Sequence, residues 1–392
     1  MRELATIQVI SELRPIEGAD KIEVALVKGW ECVVKKGEFK VGEKIIYVEV
    51  DSVMPEKPEY EFLRDRKFRV RTIKLRGQVS QGLVLPINTL NSVIDSGIQF
   101  KGEDCFDTGQ DVTELLGITK YLSPSEKEEF AQQERKIAND KNKLRKFMMR
   151  YSWFRRLFLS KRQKDSFPYW ISKTDEPRGQ NLHWNKFYEK FKDKEVYVTE
   201  KIDYQSVSFT GKMIPKFTGL LGKLIPVKKY KFIVCSRNLT NNDKNSLYWK
   251  IAEKYNIEKI LKENPNLTIQ GEQGDTKVQG NKYGIKEPTM WIFNIIDHEK
   301  KYHYDMREIH EFCIKYNLQH VPSLYLSDKN LGVSYPLSFF GSTVQELVEF
   351  SKGKSVLNNK VDREGIVVRC IENGKKIFSF KVINPDFLLK HE

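Results

Sequence analysis

Six short islands in the second half of this 392-residue chain hold the side chains best placed to do chemistry. In order they are Glu200-Lys201-Ile202-Asp203, Ser236-Arg237-Asn238, Gly271-Glu272, Trp291-Ile292-Phe293-Asn294-Ile295, Glu364-Gly365-Ile366-Val367-Val368-Arg369 and Ser379-Phe380-Lys381. Each is weak alone, because a Lys-x-Asp triplet or an arginine in a strand is common surface chemistry. Together they offer an amine, further cations, carboxylates and an aromatic ring, the parts that nucleophilic attack on a phosphate requires. An amine attacks only when unprotonated, and a lysine titrating near ~10.4 leaves fewer than about one in a thousand nucleophilic at neutral pH. A second cation or a bound metal beside it would lower that pKa and expose the lone pair.

The elements that must carry these residues read as a mixed domain. Strand patterns at 196–199, 231–235, 291–296, 366–370 and 377–382 alternate with helical stretches at 247–255 and 305–316, which suits an α+β domain on antiparallel sheets. Upstream, 22–28, 30–35, 44–50, 68–75 and 81–86 read as short strands, with Gly18, Gly37, Gly42, Gly77 and Gly82 at turns, and predict a small closed β-barrel. Between the two, 125–164 is helical in composition and lacks Pro and Gly. There Phe147, Met148, Trp153, Phe154, Leu157 and Phe158 interleave with Arg150, Arg155 and Arg156. A groove-capping helix, an RNA-contacting surface and a membrane-surface helix all fit that mixture; a linker helix with its basic face toward nucleic acid is preferred. The expected domains are 1–104, a basic helical linker over 105–166, and 167–392.

Bulk properties narrow the partner. A formal charge of +14 suits a polyanion, although a merely soluble basic surface would also produce it. Between Ala131 and Asp165 there are 12 Lys/Arg against 3 Asp/Glu, so the excess is concentrated as a phosphate footprint requires. Five scattered cysteines without a C-x-x-C pair predict reduced thiols, a cytoplasmic or other reducing intracellular compartment and no zinc site. No signal peptide and no apolar run of membrane-span length is expected, so no membrane partner is either.

The ordered islands resemble motifs I, Ia, III, IIIa, IV and V of the covalent nucleotidyltransferases, which comprise RNA ligases, DNA ligases and mRNA capping enzymes. The runs IEGADKI (16–22), Gly29-Trp30, YVEVDS (47–52) and FRVRTIKLRGQVSQGL (68–83) resemble the N-terminal OB-fold module of ATP-dependent RNA ligases of the Deinococcus and Naegleria type. ISKTDEPRGQN (171–181), before motif I, resembles the same family, and VQGNKY (278–283), after motif III, is as in related RNA ligases. The resemblance implies an OB-fold barrel, a helical linker and a nucleotidyltransferase domain that seals 3′-hydroxyl and 5′-phosphate RNA ends with ATP and Mg²⁺ or Mn²⁺. It makes Lys201 the nucleophile that becomes lysine–AMP and Lys381 the cation over the α-phosphate.

Further roles follow residue by residue from the same likeness. Glu200 belongs to the nucleotide site, Glu272 holds the ribose and positions metal waters, and Glu364 engages the hydrated metal. Asp203 orients the metal or the terminal hydroxyl, largely through waters. Arg237 holds the nucleotide or the RNA 5′-phosphate, and Phe293 stacks on adenine, where the residues alone allow a core strand position. Arg69, Arg71, Lys74, Arg76 and Arg178 are the expected RNA contacts, where alternation alone suggests a solvated face for the first four. RNA, a nicked RNA/DNA duplex included, is the expected partner of a monomer. The barrel would grip the strand on the 3′-hydroxyl side.

Two departures stand out. Motif I usually reads Lys-x-Asp-Gly, and Tyr204 occupies the glycine position; motif V usually has two lysines, and Ser379 replaces the first. The tyrosine keeps open a non-catalytic RNA-binding protein with a degenerate site. A capping-type nucleotidyltransferase fits less well, because capping enzymes carry their OB module after motif V. The 36-residue step from Lys201 to Arg237 predicts an inserted basic hairpin or loop over 211–230.

Overall fold

The computed structural model of the chain describes residues 3–92, 106–122, 127, 167–215, 227–324 and 334–391. Nearly all of the expected linker helix, with its aromatic and arginine run, lies outside them. The N-terminal strands are β1 (Ala5–Pro15), β2 (Ile22–Val27), β3 (Trp30–Lys35), β4 (Lys44–Val48), β5 (Ser52–Val53), β6 (Thr72–Leu75), β7 (Gln78–Gln81), β8 (Leu83–Pro86) and β9 (Thr119–Lys120). The main sheet runs β3-β2-β1-β4-β8. β1 pairs with β4 through its first half and with β2 through its second, and a register shift between Ile10 and Glu12 bends it.

Both faces of this sheet are covered, which explains the unbroken apolar run in β4. Ile45 and Tyr47 pack with Trp30, Cys32 and Val84 on one side, and Ile46 and Val48 pack with Phe106, Val112, Leu116 and Ile118 on the other. Residues 106–118, which composition gave to the linker, therefore belong to the N-terminal core. Closure differs from the expected barrel: β6 and β7 form a separate hairpin, and β7 meets β3 through bonds between side chain and backbone. The result is a half-barrel. The expected strand at 81–86 divides at Gly82 (φ +108), where a Cβ would lie 2.5 Å from the Tyr47 ring.

The C-terminal unit holds α1 (Trp184–Phe191), β10 (Glu195–Lys201), β11 (Gln205–Pro215), β12 (Lys228–Cys235), α2 (Leu247–Lys254), α3 (Ile257–Glu263), β13 (Leu267–Gly274), β14 (Thr289–Asp297), β15 (Tyr302–His303), α4 (Met306–Tyr316), β16 (Tyr335–Pro336), α5 (Val344–Ser351), β17 (Gly365–Glu372), β18 (Lys375–Ile383) and α6 (Pro385–His391). They build two antiparallel sheets, β16-β10-β17-β18 and β12-β11-β13-β14-β15. The first buries a core against α1 and α5, and the second against α2, α3 and α4. The chain crosses from one sheet to the other between Lys201 and Gln205, so the first island sits at their junction. The inserted segment expected over 211–230 is a hairpin in its described arms, with β11 and β12 paired out to Pro215 and Lys228.

Candidate active site

Lys201 closes β10 and pairs with Gly365, the first residue of β17. That register brings Glu364 opposite the amine, and Lys201 Nζ donates to both carboxylate oxygens at 2.6 Å. Only glycine fits at 365: a Cβ there would lie 2.2 Å from the Val382 carbonyl oxygen and 2.9 Å from Ile383 Cα, both backbone atoms. β13 supplies Glu272 opposite Ser206, β18 supplies Lys381 opposite Val367, and Arg237 follows the end of β12. These residues, with Asp203 and Phe293, line one pocket of about 430 Å³, a size that suits a small ligand. Phe293 reaches it through a bulge: Gln270 pairs with Asn294 and Gly271 with Ile292, so Phe293 has no opposite residue.

The charges around Lys201 differ from the expectation of a cation starved of its proton. Burial alone would discharge the ammonium, but Glu364, Glu272 and Asp203 outweigh it and hold its pKa above the usual lysine value. Burial likewise raises Glu364, and raises Glu272 far more, against the pull of Lys201. Lys381 is the depressed amine, lowered to about 8 by burial, with Lys201 and Arg178 repelling it and Asp175 pulling the other way. Asp175 pairs with Lys381 at 3.0 Å and with Arg237 at 2.9 Å, and so holds the two phosphate-type cations together.

A lowered lysine pKa has a definite sign. Between about 8 and ~10.4 the unfolded chain binds the proton that folded Lys381 has released, so this group's contribution to stability rises with pH across that window. A triphosphate over Lys381, which the resemblance implies, would need the ammonium. Binding of ATP without metal at pH 8 to 9 is therefore expected to take up protons, measurable by calorimetry in buffers of different ionisation enthalpy. Lys381→Arg, charged throughout, should abolish the uptake.

Asp203 is held in place by the segment after motif III: Lys282 pairs with its carboxylate, and its amide donates to Tyr283 Oη at 2.9 Å. Among the described residues, no group of three or more His, Cys, Asp or Glu side chains forms a cage that could hold a metal directly. One oxygen of Glu272 is buried without a hydrogen-bond partner there, which is the kind of anion a hydrated divalent ion would satisfy. Glu200 also lines this pocket. It is 1% exposed, and its carboxylate accepts from the Val356 amide at 2.8 Å, so its side chain fixes a loop.

Tyr204 lines the pocket as well, with its ring in a buried aromatic cluster. Its ring stacks on Trp291 at 5.9 Å and 12°, meets Tyr283 edge-on at 5.1 Å, and donates its hydroxyl to Asn281. The missing glycine has a counterpart across the sheet: a Cβ on Gly274 would lie 2.5 Å from the Tyr204 ring. Tyr204→Gly is thus expected to cost about 3–5 kcal/mol of stability in urea melts, as large core truncations do, with no gain in nucleotide transfer. Ser379, at the other departure, accepts from Arg369 Nε at 3.3 Å. Arg369 pairs with Glu176, donates to the Phe293 carbonyl and lies 5.2 Å from the Phe293 ring, so it braces that aromatic from behind.

The five expected RNA contacts separate into two groups. Lys74 and Arg76 are exposed at the tip of the β6–β7 hairpin, and Arg71 is half-buried. Arg69 and Arg178 are about nine-tenths buried, both pair with Asp51, and both line the pocket together with Tyr121, over which Arg69 stacks at 3.7 Å. The N-terminal unit thus forms one wall of the site. It is docked there by the Gly29-Trp30 turn: Gly29 N donates to the Gln180 carbonyl, and Trp30 Nε1 donates to Asn181 at 2.7 Å. A Cβ on Gly29 would lie 2.5 Å from Val344. Asp51, Asp175, Glu176 and Arg369 escaped sequence reasoning as site residues. Three of them stand in runs whose wording was informative (YVEVDS and ISKTDEPRGQN), which was the available signal.

Comparison with known proteins agrees with this geometry. Residues 4–87 match a family described as an OB-fold domain, and residues 194–383 match one described as RNA ligase. A solved structure of Naegleria gruberi RNA ligase with PPi is 30% identical, with a TM-score of 0.72 over 100% of this chain and 99% of that one. A point mutant of the Naegleria gruberi ligase with ATP and Mn is 29% identical, with a TM-score of 0.72 over 99% of each chain. A further mutant with AMP and Mn gives 29% and 0.72 over 100% and 99%. No curated protein matches significantly.

Proposed function

The chain belongs to the RNA ligase family and is an ATP-dependent RNA ligase that works with a divalent metal, and from that premise we propose the following course for its reaction. Lys201 Nζ attacks the α-phosphorus of ATP, the bond to the β-phosphate oxygen breaks, and pyrophosphate leaves. A 5′-phosphate oxygen of RNA then attacks the adenylate phosphorus, the P–N bond breaks, and a 5′–5′ pyrophosphate forms. Finally a 3′-hydroxyl oxygen attacks the activated 5′-phosphorus and AMP leaves. The observation that carries this reading is the amine of Lys201 among Glu364, Glu272 and Asp203, with Lys381 and Arg237 in the same pocket.

Within that course, Phe293 is the adenine platform and Arg369 its support. Lys381 and Arg237 take the phosphates in place of Asp175, and electrostatic stabilisation of the transferring phosphoryl group is the main catalytic term. Glu364, Glu272 and Asp203 are the residues that would hold a hydrated metal, which supplies positive charge against the α-phosphate. The Lys201–Glu364 pair must open before attack, because a protonated amine has no lone pair to give. RNA repair is the work that such end-joining suits. A non-catalytic reading rested on Tyr204, whose ring packs against Trp291 and Tyr283.

The deciding experiment adds α-labelled ATP and metal, then nicked duplexes with RNA or DNA on each side of the break. Label on the polypeptide, then on the 5′ end, then release of AMP with sealing is the expected order. A protein that never carries label, yet binds RNA, would overturn the proposal.

A further inference from the structure

The sheet face that carries Glu272 does not stop at the pocket. Ser206 lies opposite Glu272, and alternation continues the same face of β11 through Ser208, Thr210, Lys212 and Ile214. Its middle is covered by the segment before motif I, where Trp170 Nε1 donates to Thr210 at 3.3 Å. At the far end Lys212 stands directly opposite Lys231, and Ile214 opposite Lys229. Like charges opposite one another weaken a sheet, so this lysine cluster is maintained at a cost to local stability.

Beside the lysines is an aromatic pair, Trp170 against the sheet and Tyr169 in solvent. Tyr169 is 84% exposed and stands edge-on to Trp170, at 5.2 Å and 88°. Lys212 Nζ lies 5.4 Å from the Tyr169 ring and 5.1 Å from that of Trp170. Among the described residues β12 is the edge strand of its sheet, so no described strand lies beyond Lys229 and Lys231. Of the described residues lining the adjacent groove, Glu258 is the sole carboxylate.

We propose that Tyr169, Lys212, Lys229 and Lys231 form a second RNA-binding site, which holds the single strand that leaves the pocket past Arg237. A base stacks on Tyr169, and successive phosphates lie against the three lysines, the pairing of ring and cation that sequence-tolerant single-strand binding uses. β12 itself is the ruler. From Cys235, beside the pocket, to Lys229 is about 20 Å at roughly 3.3 Å a residue. A stacked strand advances about 3.4 Å per nucleotide, so the site engages RNA about six nucleotides from the joint.

The site rests on the ligase reading for its biological use, and its test is kept separate from catalysis. Binding of 5′-phosphorylated single-stranded RNA oligonucleotides of 4 to about 16 nucleotides is measured by anisotropy across a salt series. The wild type is compared with Lys229→Gln/Lys231→Gln, Tyr169→Ala and Tyr169→Phe. The double variant should bind the longer RNAs roughly tenfold more weakly, with the log–log salt slope reduced by about 1.4, the value for two lost phosphate contacts. Tyr169→Ala should lose roughly tenfold at unchanged slope, with Tyr169→Phe restoring it, and oligonucleotides shorter than about six nucleotides should not distinguish the proteins. Self-labelling by ATP should be unchanged in all three variants.

Unchanged affinity and slope would overturn the site and leave the lysines as solvated guards of an edge strand. Failure of the wild type to label with ATP would instead count against the ligase reading, and the binding series would still decide the surface.

Discussion

Lys201→Ala should carry no AMP after incubation with α-labelled ATP and metal, a loss of at least about 1,000-fold relative to the wild type on a denaturing gel. No neighbouring side chain can substitute. Lys381 lies on another strand, and a nucleophile must be in line with the departing pyrophosphate before its reactivity counts. The variant should stay folded, because the Lys201–Gly365 pairing is made by backbone and the flanking Val198 and Ile202 remain in their cores. It removes the ammonium that Glu364 contacts at 2.6 Å, so one partner of a half-buried pair is left behind, and a modest drop in melting temperature should accompany the lost labelling. A second assay separates chemistry from collapse. Supplied with RNA already adenylated at its 5′ end, Lys201→Ala should still seal, since that step forms no bond to the lysine. Sealing lost together with labelling would point to a collapsed pocket.

How much of this could be read from residues depends on distance along the chain. The strands bearing the islands are legible because each is a short apolar run with local periodicity, and 291–296 and 366–370 fall inside β14 and β17. β13 was harder to see. Its sequence LTIQGEQG alternates poorly, with Thr268 and Gln270 buried through partners on other strands. The two-sheet junction is a non-local fact, and so is everything that depends on it. Asp175 pairs with Lys381, 206 positions away, and no spacing rule reaches that far. Charge patterning misled most at Arg69. Alternation makes it a surface residue, while its own unit encloses it against Asp51 and Tyr121. Tyr204 misled for the opposite reason: its compensation, Gly274, lies on another strand.

Lys381→Met should be the reverse of a typical core mutation, with activity lost and stability kept. The lysine's backbone amide bonds the Pro177 carbonyl, and its neighbours Phe380 and Val382 fill the core, so none of these contacts depends on the ammonium. The ammonium itself is held at a cost. Its pKa, pushed down to about 8, means that the fold disfavours the charge at neutral pH, and a methionine of similar length should leave the urea midpoint unchanged or slightly raised. Transfer of AMP to Lys201 should nonetheless fall by about 100- to 1,000-fold in single-turnover labelling, the usual loss when one donor aimed at developing phosphate charge is removed. ATP affinity should fall far less, because on the proposed course Arg237 still meets the triphosphate and Phe293 the base. On the proposed course, the cost of that buried cation is offset by what it does in the transition state. Equal losses in affinity and rate would show instead that Lys381 only helps the nucleotide to bind.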